Sequence, residues 1–266
     1  LTLLTMNSWQ EIQIKNKLKN YIKKIQGHAF LLEVHGFFSY NKFEVINMKI
    51  TWHGHAFIEI QVAGKQILID PFITGNPFTK TKPEDFNPDY ILLTHSHHDH
   101  VGDTEELAEK SGATIVTEMD MANNYAQKGF KVEGPNYGGT VHFDWGDAKI
   151  IPAWHTTANV PLGMATGLAL TIEGILIYIA GDTGLFSDMK LVGRKQQIDL
   201  AFLPIGDYYT MGPDDAAYAA SLIDAKKVIP YHFNTFPPIK QDVNDFWKDV
   251  PENMKFTAEI DKPFEL

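Results

Sequence analysis

Four apolar segments of this chain each run directly into a side chain that can bind a metal. That recurrence limits the folds open to the chain more than any other feature. Tyr90-Ile-Leu-Leu-Thr94 leads into His95-Ser-His-His-Asp-His100, and Lys149-Ile-Ile-Pro-Ala-Trp154 leads into His155. Ile175-Leu-Ile-Tyr-Ile-Ala-Gly181 ends at Asp182, and Val228-Ile-Pro-Tyr231 at His232. Short apolar runs of this kind read as buried strands. Open sheets with helices outside bind ligands at the carboxyl ends of their strands. The four segments are therefore expected to deliver their polar ends to one edge of the fold.

The intervening pattern supplies the rest. Strands are expected at Lys49–Trp52, Ala56–Val62 and Gln66–Asp70, then at Ala113–Thr117, Lys131–Glu133, Thr140–Asp144, Ala148–Trp154, Gly167–Ile172, Ile175–Ala180, Leu200–Pro204 and Lys227–Tyr231. Helices are expected at Thr104–Ser111, Asp120–Lys128, Pro213–Ile223 and Val243–Val250. Consecutive strands come first, and strands alternating with helices follow. An α/β (α+β) arrangement of two sheets packed face to face, helices outside, accommodates that order.

Charge divides the chain. Residues 1–47 carry six lysines against Glu11, Glu33 and Glu44, which leaves 17 basic against 30 acidic residues from Met48 onward. The first 47 residues hold one expected helix, about Trp9 to Ile25, and no evident chemistry. They read as an appendage to a domain spanning 48–266, or as residues upstream of a natural start at Met48. No apolar run approaches the roughly 18 residues of a membrane helix, and no signal-peptide order is evident. The expectation is a cytoplasmic protein without a membrane partner. A formal net charge of −10 argues against a protein that works by gripping nucleic acid.

The chain has no cysteine, so any metal must be held by imidazole and carboxylate. His95 and His97, two apart in extended backbone, can point the same way, and Asp99 and His100 follow as the chain bends toward a helix. One ion cannot easily take four side chains from so short a segment, whereas two adjacent ions can. With His155, Asp182 and His232 the set becomes five imidazoles and two carboxylates, enough for two ions with open positions. A solvated histidine-rich loop is the plain alternative. Burying the cluster with nothing between its members would cost desolvation and mutual repulsion, and the three matching strand ends favour metal.

The order His95-x-His97-x-Asp99-His100, then single His155, Asp182 and His232, resembles the metallo-β-lactamase superfamily across residues 48–266. Gly54-His55-Ala56, Gly181-Asp-Thr-Gly184, Tyr209-Thr-Met-Gly-Pro213 and Tyr231-His-Phe-Asn-Thr-Phe236 are similar to a narrower branch of uncharacterised metal-dependent hydrolases akin to ascorbate-6-phosphate lactonase-like proteins. The resemblance implies a four-layer αββα sandwich of two mixed β-sheets. It implies that His95, His97 and His155 hold one metal, that Asp99, His100 and His232 hold the other, and that Asp182 bridges them. It also separates relatives: the commonest antibiotic-hydrolysing classes use a cysteine ligand, and flavo-diiron proteins have Glu where His97 stands.

The implied activity is hydrolysis of a small-molecule ester, lactone or phosphoester. Two divalent ions, zinc by default with manganese, iron or nickel alternatives, would activate a shared water. Asp99 is the candidate catalytic residue that orients the nucleophile or shuttles its proton. A phosphodiesterase or nuclease, and a non-hydrolytic metal-binding or redox protein, are the competing readings. Oligomeric state is not legible.

Secondary positions are expectations of lower rank. His55 lines the site or is structural, and Asp70 hydrogen-bonds the metal loop. His98 is exposed or lies behind the ligands, and His142 sits on a sheet surface. Tyr208, Tyr209, Met211, Phe233, Asn234 and Phe236 line a substrate wall or pack as ordinary loop residues. Asp103 and Thr104 read as the cap of the following helix.

Overall fold

A computed structural model describes residues 48–158 and 163–266. The helix expected near Trp9 to Ile25, and with it the reading of residues 1–47 as an appendage, lies outside the described residues. Among the described residues no helix is long and apolar enough to cross a membrane.

Thirteen described strands form two mixed sheets. The first holds β1 (Lys49–Trp52), β2 (Ile58–Val62), β3 (Lys65–Ile69), β4 (Tyr90–Leu92), β5 (Thr114–Val116), β6 (Lys131–Glu133) and β13 (Pro263–Phe264), in the order β13-β1-β2-β3-β4-β5-β6. The second holds β7 (Thr140–Phe143), β8 (Gly146–Pro152), β9 (Thr166–Ile172), β10 (Ile175–Ile179), β11 (Leu200–Pro204) and β12 (Lys227–Tyr231), in the order β12-β11-β10-β9-β8-β7. The helices are α1 (His98–Val101), α2 (Thr104–Ser111), α3 (Met119–Gln127), α4 (Pro213–Ile223) and α5 (Val243–Trp247). β1–β3 are antiparallel and joined by tight turns, whereas β3 to β6 run parallel and need crossovers, two of which contain α2 and α3. The second sheet repeats the plan, antiparallel from β7 to β10 and parallel from β10 to β12.

Period-two alternation divides each strand between two cores. Ile67, Ile69 and Leu92 face the second sheet, meeting Ile150, Leu168, Leu170, Ile177, Ile179 and Phe202. Leu68, Ile91 and Leu93 turn the other way and pack beneath Leu107, Ala108, Met121 and Tyr125 of α2 and α3. In the second sheet Tyr178, Ala201 and Leu203 pack against Ala216, Ala220 and Ile223 of α4 and Phe246 of α5. The result is the four-layer αββα sandwich. It also explains why the strands read as unbroken apolar runs: both of their faces are buried.

The differences from expectation are local. β2 starts at Ile58 because residues 53–56 form a turn, with Phe57 N–H donating to the Gly54 carbonyl at 3.1 Å. Asp103 stands at the N-cap position of α2, but its side chain makes no capping bond. Its carboxylate instead accepts from Ile73 N–H and Thr74 N–H at 3.0 and 2.8 Å, tying down the loop after β3. β13 is two residues long and carries no alternation to read.

Candidate metal centre

The carboxyl ends of β3 and β4 in one sheet, and of β8, β10 and β12 in the other, meet along one edge. The two sheets are linked there by main-chain bonds. Thr166 N–H and Oγ1–H both donate to the Thr94 carbonyl, at 3.0 and 2.7 Å, and His232 N–H donates to the His55 carbonyl at 3.2 Å. Gly181, at φ +67, brings the end of β10 close to β9: a Cβ there would lie 2.3 Å from the Thr166 oxygen.

Eight side chains converge on this edge. His95, His97 and His155 offer nitrogen atoms that all lie within 4.8 Å of one another, as do donor atoms of His95, His100 and Asp182. A third group, also within 4.8 Å, comprises His55, Asp99, His100 and His232. Asp182 stands between the groups. Its Oδ1 is 3.4 Å from His100 Nε2, and its Oδ2 is 3.1 Å from His232 Nε2 and 3.5 Å from His155 Nε2. All seven residues named from sequence as metal ligands are thus brought together.

The surrounding bonds fix which nitrogen each ring turns inward. Asp70, buried and at φ +46, accepts from Thr94 N–H at 2.8 Å, from Thr94 Oγ1–H at 2.6 Å and from His100 Nδ1–H at 2.8 Å. The Thr94 hydroxyl, its proton spent on Asp70, is left to accept from His95 Nδ1–H at 3.0 Å. Both rings therefore turn Nε2 toward the centre. His95 Nε2 lies 2.8 Å from His97 Nδ1. His100 Nε2, Asp182 Oδ1 and both nitrogens of His232 are buried without a hydrogen-bond partner. Buried polar atoms left in that state cost about 1–3 kcal/mol each. Imidazole lone pairs and carboxylate oxygens aimed at a shared space are the donors a divalent ion takes, so the residues present fit a metal.

The electrostatics separate His100 from the other rings: burial opposes its charge, but Asp182 and Asp70 outweigh it and raise its pKa well above the ordinary value, so a metal there would displace a proton. Burial, reinforced by neighbouring His100, pushes His95 well below its ordinary pKa, and burial likewise lowers His97 and His155. These rings are neutral, as ligands must be. Burial opposes charge on Asp182, yet His232 and His100 outweigh it and hold the carboxyl well below its usual value. Asp99 is similar: the His55 hydrogen bond and the charge of His100 overcome its burial.

His55 was legible only as a lining residue, and the structure places it closer. Its ring is fully buried at φ +52, with Nε2 3.1 Å from Asp99 Oδ2 and Nδ1 2.8 Å from Thr235 Oγ1. Burial and the nearby His232 lower its pKa to about 3, so the ring is neutral. One tautomer serves both contacts: the Thr235 hydroxyl donates to Nδ1, and Nε2–H donates to Asp99. Thr94 and Thr235 were not anticipated. Thr94 could have been found as the hydroxyl at the end of the strand that carries His95, whereas Thr235 carries no such signal.

The loop residues offered for a substrate wall or for ordinary packing take separate places. Met211 is buried beneath α4, and Phe233 packs inward, its ring stacked 6.2 Å from Trp52. Asn234 is exposed and accepts from Gln241 N–H at 2.8 Å, while Tyr208 is 72% exposed against Tyr209. Of that set only Phe236 reaches the centre, edge-on to His55 with ring centroids 5.4 Å apart. His98 is turned outward with its side chain 84% exposed, and His142 is exposed and paired with Asp147 at 2.7 Å. Beside His155 opens a cavity of about 640 Å³ lined by Tyr137, Trp154, Thr156, Thr157 and Met164.

Residues 49–232 match the family model described as "Beta-lactamase superfamily domain". A UPF0173 metal-dependent hydrolase of Ligilactobacillus salivarius is 96% identical over 219 residues, covering 82% of this chain and all of that relative. One from Geobacillus thermodenitrificans is 48% identical over 226 residues, with the same coverage. Among solved structures, the metallo hydrolase Igni18 of Ignicoccus hospitalis is 35% identical with a TM-score of 0.77, covering 83% of this chain and 98% of that one. The chain belongs to the beta-lactamase superfamily and, within it, to the UPF0173 metal-dependent hydrolases.

Proposed function

We propose that this superfamily member is a dinuclear hydrolase of a small ester, lactone or phosphoester. His95, His97 and His155 would hold one ion, Asp99, His100 and His232 the other, and Asp182 would serve both. Zinc is the default metal. The observation that carries the reading is that buried atoms of His100, Asp182 and His232 make no hydrogen bond and belong to overlapping clusters of nitrogen and oxygen donors shared with His55, His95, His97, Asp99 and His155.

Divalent ions in such a donor set supply Lewis acidity toward a carbonyl or phosphoryl oxygen and make water acidic near neutral pH. The protein's own groups do the positioning. Asp70 and Thr94 hold the His95 and His100 rings with Nδ1 outward and Nε2 toward the centre. His55, through Nε2–H, fixes the Asp99 carboxylate. Asp99 is kept ionised with low proton affinity, which suits it to orienting an attacking water more than to storing its proton. The cavity beside His155 gives substrate its approach.

The test is elemental analysis of protein purified without added metal, paired with a panel of small esters, lactones and phosphodiesters. The expected result is about two divalent ions per chain and one substrate class hydrolysed, with activity lost on chelation. Asp99→Asn should lose most activity and weaken one of the two sites. Protein that binds no metal even after reconstitution at neutral pH would overturn the proposal, and a fully active Asp99→Asn enzyme would remove Asp99 from its role.

A further inference from the structure

The outer face of the second sheet is covered unevenly. α4 and α5 pack over β10 to β12, and among the described residues no α-helix covers β7 to β9, beside which runs the 3₁₀ turn Ser187–Leu191. On β8, Ala148 and Ile150 turn into the central core, which sends Lys149 and Ile151 outward. Ala169 of β9 and Leu176 of β10 face the same way. Together with the segment from Leu185 to Gln196 these residues enclose an open groove of about 860 Å³. That is within the roughly 300–1,000 Å³ typical of small-ligand sites.

The groove lining is chemically mixed. Ile151, Leu176, Phe186 and Leu191 supply apolar surface, and Leu191 is 51% exposed. Lys149, Arg194 and Lys195 bring positive charge to the remainder, beside the hydroxyls of Thr140 and Thr171. Arg194 is the single arginine of the chain. None of the three cations forms an ion pair with a described residue. Of the acids in the lining, Asp147 is taken by His142 at 2.7 Å and Asp188 accepts from the Ser187 hydroxyl at 3.1 Å. Residues 48–266 carry an excess of 13 acidic groups, whereas the groove lining sets Lys149, Arg194 and Lys195 against only Asp147 and Asp188, a local excess of basic groups.

We propose that this groove binds a single-chain anionic amphiphile, with its hydrocarbon tail along Ile151, Leu176, Phe186 and Leu191 and its acidic head at Lys149 and Arg194. An apolar trough with cations beside it complements an acid head on a short hydrocarbon chain. A nucleic acid would find three charges too few and the apolar floor unmatched. The groove adjoins the cavity beside His155 at Pro152 and Trp154 but contains none of the candidate metal ligands, and the proposal does not rest on the hydrolase reading.

The test is titration of the full chain with decanoate below its micellar concentration. Calorimetry gives affinity, and tryptophan fluorescence gives location. Trp154 is 69% exposed and stacked 5.9 Å from Phe186 at the end of the groove, whereas Trp52 and Trp145 are buried. Saturable one-to-one binding with a blue shift that Trp154→Phe removes is expected. Affinity should rise about three- to fourfold per methylene from hexanoate to decanoate. Decanol should bind more weakly, and Arg194→Ala should weaken decanoate about three- to fivefold. Leu191→Asp should abolish binding, and prior chelation of metal should leave it unchanged. Both substituted positions are exposed, and thermal unfolding checks that the variants fold. Equal decanoate binding by Arg194→Ala and wild type, no dependence on chain length, or loss of binding on chelation would each overturn the proposal. So would a wild-type dimer that Leu191→Asp splits and that takes up no decanoate, since the groove would then be a surface for a second copy.

Discussion

Asp70→Asn isolates the contribution of orientation to metal affinity, because Asp70 touches the proposed ligands without being one of them. Its Oδ2 accepts from His100 Nδ1–H and Thr94 Oγ1–H, and its Oδ1 from Thr94 N–H. An amide has the same shape but one acceptor oxygen. With the oxygen toward Thr94 N–H, the amide NH2 confronts two donors; turned over, it confronts one. In either orientation at least one buried donor loses its partner, at about 1–3 kcal/mol, and the negative charge facing His100 is gone. Removing a carboxylate that orients a metal-bound imidazole costs about 10- to 100-fold in metal affinity, or about 1.4–2.7 kcal/mol. The assay is competition against a chromogenic chelator at fixed pH, with circular dichroism to confirm the fold. Asp199→Asn is the control, since that carboxylate bonds Leu176 N–H and Lys226 away from the centre and should leave affinity unchanged. A folded Asp70→Asn protein holding both ions as tightly as wild type would refute the reasoning, because the tautomers of His95 and His100 would then not depend on this carboxylate.

Gly102→Ala should lower Tm by about 5–15 °C in calorimetry: at φ +39 its Cβ would lie 2.3 Å from the Pro71 carbonyl oxygen, backbone that cannot swing aside. A change under about 2 °C would show that the loops separate easily. Partial burial opposes charge on Asp261, but bonds from Lys80 N–H, His53 and Thr79 outweigh it and hold its carboxyl below the ordinary value. A depressed folded pKa means that this stabilisation is present above about pH 4 and is lost as pH falls through the folded value. Asp261→Asn should accordingly flatten the acid limb of the Tm–pH curve while leaving its slope near pH 7 unchanged. Chelating metal from loaded protein should lower Tm by about 8–16 °C, since an ion at 1,000 times its Kd adds about 4 kcal/mol to the native state of a domain this size. Equal Tm values with and without metal would contradict the donor assignment.

The sequence made the strand ends legible because two signals coincide there. An apolar run buried on both faces ends, and the next residue can bind metal. Where only one signal exists the reading falters. His55 lies in a turn with no apolar run before it, and its partner Asp99 is 44 residues away, so proximity comes from packing of the turn after β1 against α1 rather than from spacing. Asp103 has a plausible local role as a helix cap, and a long-range demand from Ile73 and Thr74 N–H displaces it. Phe233 and Met211 follow residues near the centre in sequence. Packing draws Phe233 into the central core and Met211 beneath α4, because aromatic and thioether surface gains more there than at a wet rim. The groove outside β8 was not legible, since Lys149 lies on β8 and Arg194 in the crossover between parallel β10 and β11, and only the fold brings them to one surface.

Backbone conformation separates the demands of folding from those of chemistry at the same positions. His55, Asp70 and His232 have φ values of +52, +46 and +54, in the left-handed region that costs an L-residue roughly 1–2 kcal/mol. A chain selected for folding alone would place glycine or asparagine there. Each position ends a strand or bridges a turn, where the backbone must reverse within one residue to lay its side chain along the edge rather than continue the alternation. The strain is held by its surroundings. His232 N–H bonds the His55 carbonyl, so the two strained histidines support each other across the sheets, and Asp70 is fixed by both donors of Thr94. Together the three positions cost about 3–6 kcal/mol, comparable with the stabilisation that one tightly bound ion returns. Metal, tautomer and backbone are therefore coupled. Relieving the strain at His232 with glycine would remove the imidazole that the conformation exists to place, so local stability and the chemistry of the centre cannot both be maximised at that residue.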